Sequence, residues 1–172
     1  MASYRTENKR RRVWQPFYLD WVFFFNWIVM PTVKEIMTKD VTTIEADKTV
    51  FEAAQLMSTE GLGCLIVINK DFPVGIITER DIVRRIVAKR SSFDGKVEDI
   101  MSKTLITVEP DVSLKDAARV MSTNGIRRLP VLKNNKLVGI VVASDFVRNV
   151  GKKTTSDEIL DALGRYPTGS PV

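Results

Sequence analysis

The sequence predicts a mixed α/β (α+β) protein built from two like β-α-β-β-α units related by a pseudo-twofold axis. Three observations carry this. The stretch from Val33 to Ile86 recurs without a gap 64 residues later, from Val97 to Val150, and about 21 of the 54 paired positions are identical. Each copy holds one apolar stripe at helical spacing, introduced by a capping pattern and closed by glycine. Two short apolar runs separated by a turn follow each stripe. An internal repeat sets the architecture before any single residue is interpreted. Two copies are too few for a solenoid, and a twofold pair creates a cleft where its halves meet.

The elements follow in order. Each copy opens on a short extended piece, Val41 to Ile44 and Leu105 to Val108. A helix comes next, because Thr49-x-x-Glu52 and Ser113-x-x-Asp116 are capping boxes that satisfy free N–H groups at a helix start. Val50, Ala53, Ala54 and Met57 form one apolar stripe, repeated by Leu114, Ala117, Ala118 and Met121. Gly61 and Gly125 stand where a left-handed helix terminator belongs. Two strands with a turn are expected at Cys64 to Ile68 and Val74 to Thr78, then at Leu129 to Leu132 and Leu137 to Val142. A second helix closes each unit, Asp81 to about Lys89 and Asp145 to about Val150. The resulting organisation is an arm at 1–30, a first unit at 31–90, a second at 96–152 and a polar tail at 153–172, with a short helix expected at Asp157 to Leu163.

Composition excludes several chemistries. There is no histidine, so neither a Ser-His-Asp triad nor a Cys-His pair can be built from this chain, and the commonest metal ligand is missing. No catalytic residue and no metal site is expected. The single cysteine, Cys64, forms no intramolecular disulfide and fits a cytoplasmic, reducing setting. Of the net charge of +5, the first 30 residues carry +3, through Arg5, Lys9, Arg10, Arg11 and Arg12, so the repeated body is nearly neutral. The arm continues into an aromatic stretch, Val13 to Met30, whose best apolar run is too short to span a bilayer and contains Asn26. Four readings of it stand open. It packs on the body or on a partner, anchors at a membrane interface, enters a membrane or secretory route, or is a translated upstream stretch with Met30 as the working start.

Two strings carry chemistry. Gly75-Ile76-Ile77-Thr78-Glu79-Arg80-Asp81 runs from a buried strand into a helix. Such a turn presents free N–H groups, and a carboxylate there can accept both hydroxyls of a ribose. Thr-x-x-Asp is equally a capping box, and both roles stay open. In the second copy Asp145 persists while Thr78 is replaced by Val142, which mildly favours a role for the carboxylate beyond capping. The other string is Ile126-Arg127-Arg128-Leu129-Pro130-Val131, where two arginines before a buried strand can grip phosphate or simply be solvated. Their first-copy counterparts, Gly63 and Cys64, are uncharged, and Cys64 reads as a small buried apolar residue.

Together with the early Ile-Met of each copy and the Ala-Ala helix, these strings resemble the CBS domain, and two in tandem resemble a Bateman module, over residues 33–150. The resemblance implies two units packed through their sheets with two equivalent clefts. It implies an adenosine compound (AMP, ADP, ATP or S-adenosylmethionine) as regulatory ligand, with no catalytic cofactor. By the family pattern, Thr78 and Asp81 hold the ribose. Leu105 and Ile106 line the adenine slot by their backbone, and Arg127 and Arg128, preceding Leu129 and Pro130, reach the phosphates. The second cleft would use Asp145 with Val41 and Thr42, and it departs from the pattern at Val142, Gly63 and Cys64. One competent cleft and one weakened cleft are therefore expected. The resemblance further implies a homodimer formed through helices, and the sequence shows no output domain, which points to a separate protein target. The rival reading is a nucleic-acid or membrane-surface adaptor that acts through the basic aromatic arm, with arginines on phosphates and aromatics on bases or lipid.

Overall fold

The computed structural model describes residues 31–150; the arm, with its four readings, and the tail, with its expected helix, lie outside the described residues. The first copy contains α1 (Val33–Ile36), β1 (Thr43–Glu45), α2 (Val50–Glu60), β2 (Cys64–Asn69), β3 (Phe72–Thr78) and α3 (Glu79–Ile82). The helix α3 continues as a π-helical turn, Val83–Val87. The second copy contains α4 (Val97–Ile100), α5 (Leu114–Asn124), β4 (Arg128–Lys133), β5 (Lys136–Val142) and α6 (Ala143–Val150).

Local chemistry explains most boundaries. Thr49 Oγ1 accepts from Glu52 N–H at 3.1 Å and the Glu52 carboxylate accepts from Thr49 N–H at 2.8 Å, which closes the capping box of α2. The backbone N–H of Thr49 and the ammonium of Lys48 hold the Glu52 carboxyl down to about 2. The box on α5 is half formed, with Ser113 accepting from Asp116 N–H at 3.1 Å. Gly61 and Gly125 end the two long helices at φ 65° and 63°. Both hairpins turn on two residues with positive φ, Lys70-Asp71 and Asn134-Asn135, the two-residue loop whose twist suits antiparallel strands. Each hairpin carries the same register shift, at Val67/Ile68 and at Val131/Leu132.

Two expectations are corrected. The strand Leu105 to Val108 shrinks to one parallel bridge, Val108 to Val131, while its mate β1 pairs with β2 over three residues. The helix expected from Asp81 to Lys89 begins at Glu79 and widens to π winding at Val83, with Ala88 N–H donating to Val83 O at 2.9 Å.

The two copies exchange their leading segments. Val33, in the first copy, is fully buried among Leu114, Met121, Leu129 and Phe146 of the second. Val97, Ile100 and Met101, in the second copy, join Val50, Met57, Leu65 and Ile77 of the first. Bridges outside the strands come in reciprocal pairs: Thr38 with Ile140 and Ser102 with Ile76, then Thr32 with Ser113 and Lys96 with Thr49. Every member is 64 residues from its counterpart, so the pairing shows a pseudo-twofold directly. Packing repeats the relation, for α1 touches α6, α4 touches β3, and β3 touches β5.

Candidate ligand-binding clefts

The exchange stretches each leading segment from one sheet to the other. Ser102 trades two backbone hydrogen bonds with Ile76 on β3, at 2.9 and 3.1 Å. Six residues on, Val108 donates to Pro130 O at 3.1 Å and accepts from Leu132 N–H at 2.9 Å on β4. Leu105 and Ile106 lie between these anchors, half-buried. Val41 and Thr42 occupy the equivalent span, between Thr38 on β5 and Thr43 on β2, and are also half-buried.

Two prolines explain why one pair remains where β1 has three: Pro110, which stands where Ala46 N–H donates to Ile68 O at 2.9 Å in the first copy, and buried Pro130. One ladder step before Val108, the N–H of residue 130 would donate to Ile106 O, and proline has no N–H. Ile66 stands at the matching place in the first copy, where the ladder is complete. The Ile106 carbonyl therefore has no backbone partner among the described residues.

The strand-to-helix turns differ between copies. In the first, Thr78 N–H and Oγ1 both donate to Asp81 Oδ2, at 3.0 and 2.6 Å, and Asp81 N–H donates to Thr78 Oγ1 at 3.2 Å. The capping reading of this string is thus realised, and it uses one carboxylate oxygen. The other, Oδ1, has only a loose ion pair with Arg85 Nη2 at 3.5 Å among the described residues. In the second copy Asp145 Oδ2 accepts from Val142 N–H at 2.8 Å, with no hydroxyl to assist. Its Oδ1 is taken by Arg148 Nη2 at 2.5 Å. The Asp145 side chain is 7% exposed against 17% for Asp81. One turn keeps an oxygen for further donors; the other is already satisfied by its own helix.

Arg128 crosses to the first copy. A Cβ on Gly63 would lie 2.9 Å from Arg128 Nη2 and 3.3 Å from Glu79 Oε2, so the bare backbone of Gly63 makes room for both. The same guanidinium lies near Cys64, its own mate across the pseudo-twofold, and acts on its thiol electrostatically. Arg128 therefore stands at the Thr78–Glu79 turn, since Cys64 faces Thr78 in the ladder and Glu79 N–H reaches Gly63 O at 3.4 Å. Arg127 is exposed, and its carbonyl accepts from Ala143 N–H at 2.9 Å at the second turn. The structure thus brings Thr78, Asp81 and Arg128 to one turn, while Arg127 anchors its backbone at the other. Cys64 is half-buried rather than buried; desolvation pushes its thiol up, against the opposing pull of Arg128. Sequence reasoning reads Gly63 only as a missing charge and passes over Arg85 and Arg148, at which only the i, i+4 and i, i+3 spacings from the aspartates hint.

No group of three His, Cys, Asp or Glu residues able to hold a metal occurs among the described residues. No helix among them is long and apolar enough to cross a membrane.

Comparison with known proteins gives a consistent result. The family model described as the CBS domain matches residues 33–88 and 97–152. An uncharacterized protein of Methanopyrus kandleri, MK0525, is 41% identical over 120 residues, covering 68% of this chain and 61% of its own. The match therefore spans about three fifths of that relative. The CBS domain-containing protein YhcV of Bacillus subtilis is 38% identical over 120 residues, covering 70% of this chain and 86% of its own. Among solved structures, the CBS domain pair of protein MJ0100, in complex with 5-methylthioadenosine and S-adenosyl-L-methionine, superposes with a TM-score of 0.65 at 28% identity, covering 71% of this chain and 97% of that one. With its two matched segments and its exchanged, pseudo-twofold fold, the chain belongs to the CBS domain family as a tandem pair.

Proposed function

We propose that this protein is a non-catalytic regulatory module that senses an adenosine compound (AMP, ADP, ATP or S-adenosylmethionine) in the cleft built on Thr78 and Asp81. CBS pairs are regulatory modules, and the MJ0100 pair in complex with two adenosine compounds supports the ligand class. The observation that carries the reading is the division of labour at Asp81. One oxygen is fixed by Thr78, and the other is held only loosely at 3.5 Å, open to donors such as a ribose diol. The Ile106 carbonyl released by Pro130 is an acceptor suited to the amino group of adenine, with Leu105 beside it. Arg128, with Arg127, supplies positive charge for phosphate. The second cleft, with Asp145, Val41 and Thr42, is the weaker one.

Differential affinity of the ligand for two arrangements of the halves, or of two subunits, would be the signal passed to a separate protein target. A homodimer through the closing helices fits exposed Val83 and Val147, mates at 55% and 60% exposure, and Val87 beside them. A chain that sediments as a monomer overturns this part of the reading.

Calorimetric titration with AMP, ADP, ATP and S-adenosylmethionine tests the ligand class. Binding of one of them with about one site per chain is expected. Heat signals absent for all four would reduce the module to a structural pair. Pro130→Ile supplies a finer test. It restores the missing ladder donor, so β4 should gain a longer partner strand while affinity falls about threefold to tenfold, one neutral hydrogen bond's worth. An unaltered affinity would remove Ile106 O from the slot.

A further inference from the structure

The first closing helix contains a feature that its mate lacks. Asp81 and Arg85 straddle the change from α to π winding, and single π-turns within helices are frequent at functional sites. Arg85 leaves its own copy at this turn. Its Nη1 donates to Ile100 O at 2.8 Å and to Met101 O at 3.3 Å, while Nη2 lies 3.5 Å from Asp81 Oδ1. The two carbonyls end α4, where the last groups of a helix have no partner within it. Beyond them runs the segment through Ser102 to Ile106. The mate of Arg85 is Asn149, whose amide donates only to Asp145 O, within its own helix, at 2.8 Å. In the second copy the arginine on the aspartate is Arg148, and its hydrogen bond and ion pair both go to Asp145.

We propose that Arg85 is a positioning residue of the first cleft, tying the Asp81 carboxylate of one copy to the carbonyl end of α4 in the other, so that occupancy of the cleft is transmitted to the leading segment of the second copy. This rests on the ligand reading given above. The physical logic is competition. Asp81 Oδ1 is the oxygen left by Thr78, and Arg85 meets it at a distance too long for a strong bond. Ribose hydroxyls arriving at Oδ1 displace that weak contact, and the guanidinium settles on Ile100 O and Met101 O. Ligand and segment placement are then linked, and linkage is reciprocal: a loosened segment lowers affinity by the factor by which ligand tightens it. Among the described residues the second cleft has no such tie, and its carboxylate is closed by Arg148 instead.

Three variants test this: Arg85→Met, which keeps the aliphatic stem and removes the donors; Arg85→Lys, which keeps the charge and one compact donor group; and Arg84→Met, which removes a neighbouring exposed charge. Hydrogen exchange is followed in the ligand-free proteins over residues 98–106, with the buried β2 residues 65–67 as internal reference. Affinity for AMP and for S-adenosylmethionine is measured by calorimetry. For Arg85→Met, exchange about tenfold faster over 98–106 is expected with the reference unchanged, and affinity about tenfold weaker. Arg85→Lys should recover part of both, and Arg84→Met should match the parent. Unchanged exchange at 98–106 in Arg85→Met overturns the tie. Faster exchange with parental affinity overturns the positioning role, and equal effects in Arg84→Met reduce it to bulk charge. If the parent binds neither compound, the ligand reading has failed, while exchange at 98–106 in the absence of ligand still decides whether the tie exists.

Discussion

Asp81→Ala is expected to weaken binding of the adenosine compound by about a hundredfold, and Asp145→Ala by less than about threefold. The size follows from the hydrogen bonds that the ribose would forfeit. Each charge-assisted hydrogen bond contributes about 1.5–3 kcal/mol, and 1.4 kcal/mol is a factor of ten, so a ribose diol on one carboxylate represents two decades. The contrast follows from Oδ1, which in Asp81 faces a 3.5 Å ion pair and in Asp145 is claimed by Arg148 at 2.5 Å. Asp81 is also the N3 member of the capping box of α3, its Oδ2 accepting from Thr78 N–H, so the alanine variant should lose that half of the box and about 1 kcal/mol of stability. Asp81→Asn separates the two roles, because the amide oxygen of asparagine can still accept from Thr78 N–H while carrying no charge. It should melt near the parent and still bind at least about tenfold more weakly. Equal losses for Asp81→Ala and Asp145→Ala by calorimetry would mean that both clefts bind alike and that the asymmetry of the two turns has no functional weight.

Much of this is readable in the chain, for reasons that differ by element. The helices α2 and α5 are legible because cap, stripe and terminating glycine all agree within a dozen residues, and agreement across levels is what specifies a local structure. The hairpins are legible through Lys70-Asp71 and Asn134-Asn135. The pairing of Thr78 with Asp81 is readable as a box, and the box is there. The exchange of leading segments is not readable. A repeat gives a period, and Val33 and Val97 look the same whichever copy they bury against; only the three-dimensional path from Thr38 to Thr43 selects the partner. The reduction of the second leading strand to one pair at Val108 is legible in principle, since Pro130 and Pro110 lack the donors on either side of it. Arg128 stands out in the sequence for its charge alone. Its path over Gly63 depends on the absence of a side chain in the other copy, which no reading of local strings reveals.

The two glycines under the exchanged segments provide the second large effect. A Cβ at Gly75 would stand 2.6 Å from Met101 Sδ and 2.9 Å from Ser102 O, and one at Gly139 would stand 2.6 Å from Met37 Sδ and 2.9 Å from Thr38 O. The methionine sulfur can swing aside. The carbonyls cannot, because Ser102 is bonded to Ile76 and Thr38 to Ile140 in both directions at 2.9 to 3.1 Å. Gly75→Ala and Gly139→Ala should each destabilise the protein by about 1–3 kcal/mol, the usual cost of overpacking a close contact. Thermal melting measures this, and a variant that melts with the parent would show that the segment crosses with room to spare. Symmetry makes the two costs alike, but ligand binding should divide them. Gly75 supports the segment holding Leu105 and Ile106, proposed to line the Asp81 cleft, whereas Gly139 supports the one holding Val41 and Thr42, proposed to line the Asp145 cleft. With both variants kept well below their melting temperatures, Gly75→Ala should lose adenosine affinity by about tenfold. Gly139→Ala, with the same loss of stability, should retain it. If both lose affinity together, strain at either glycine is shared by the whole module and the clefts do not act separately.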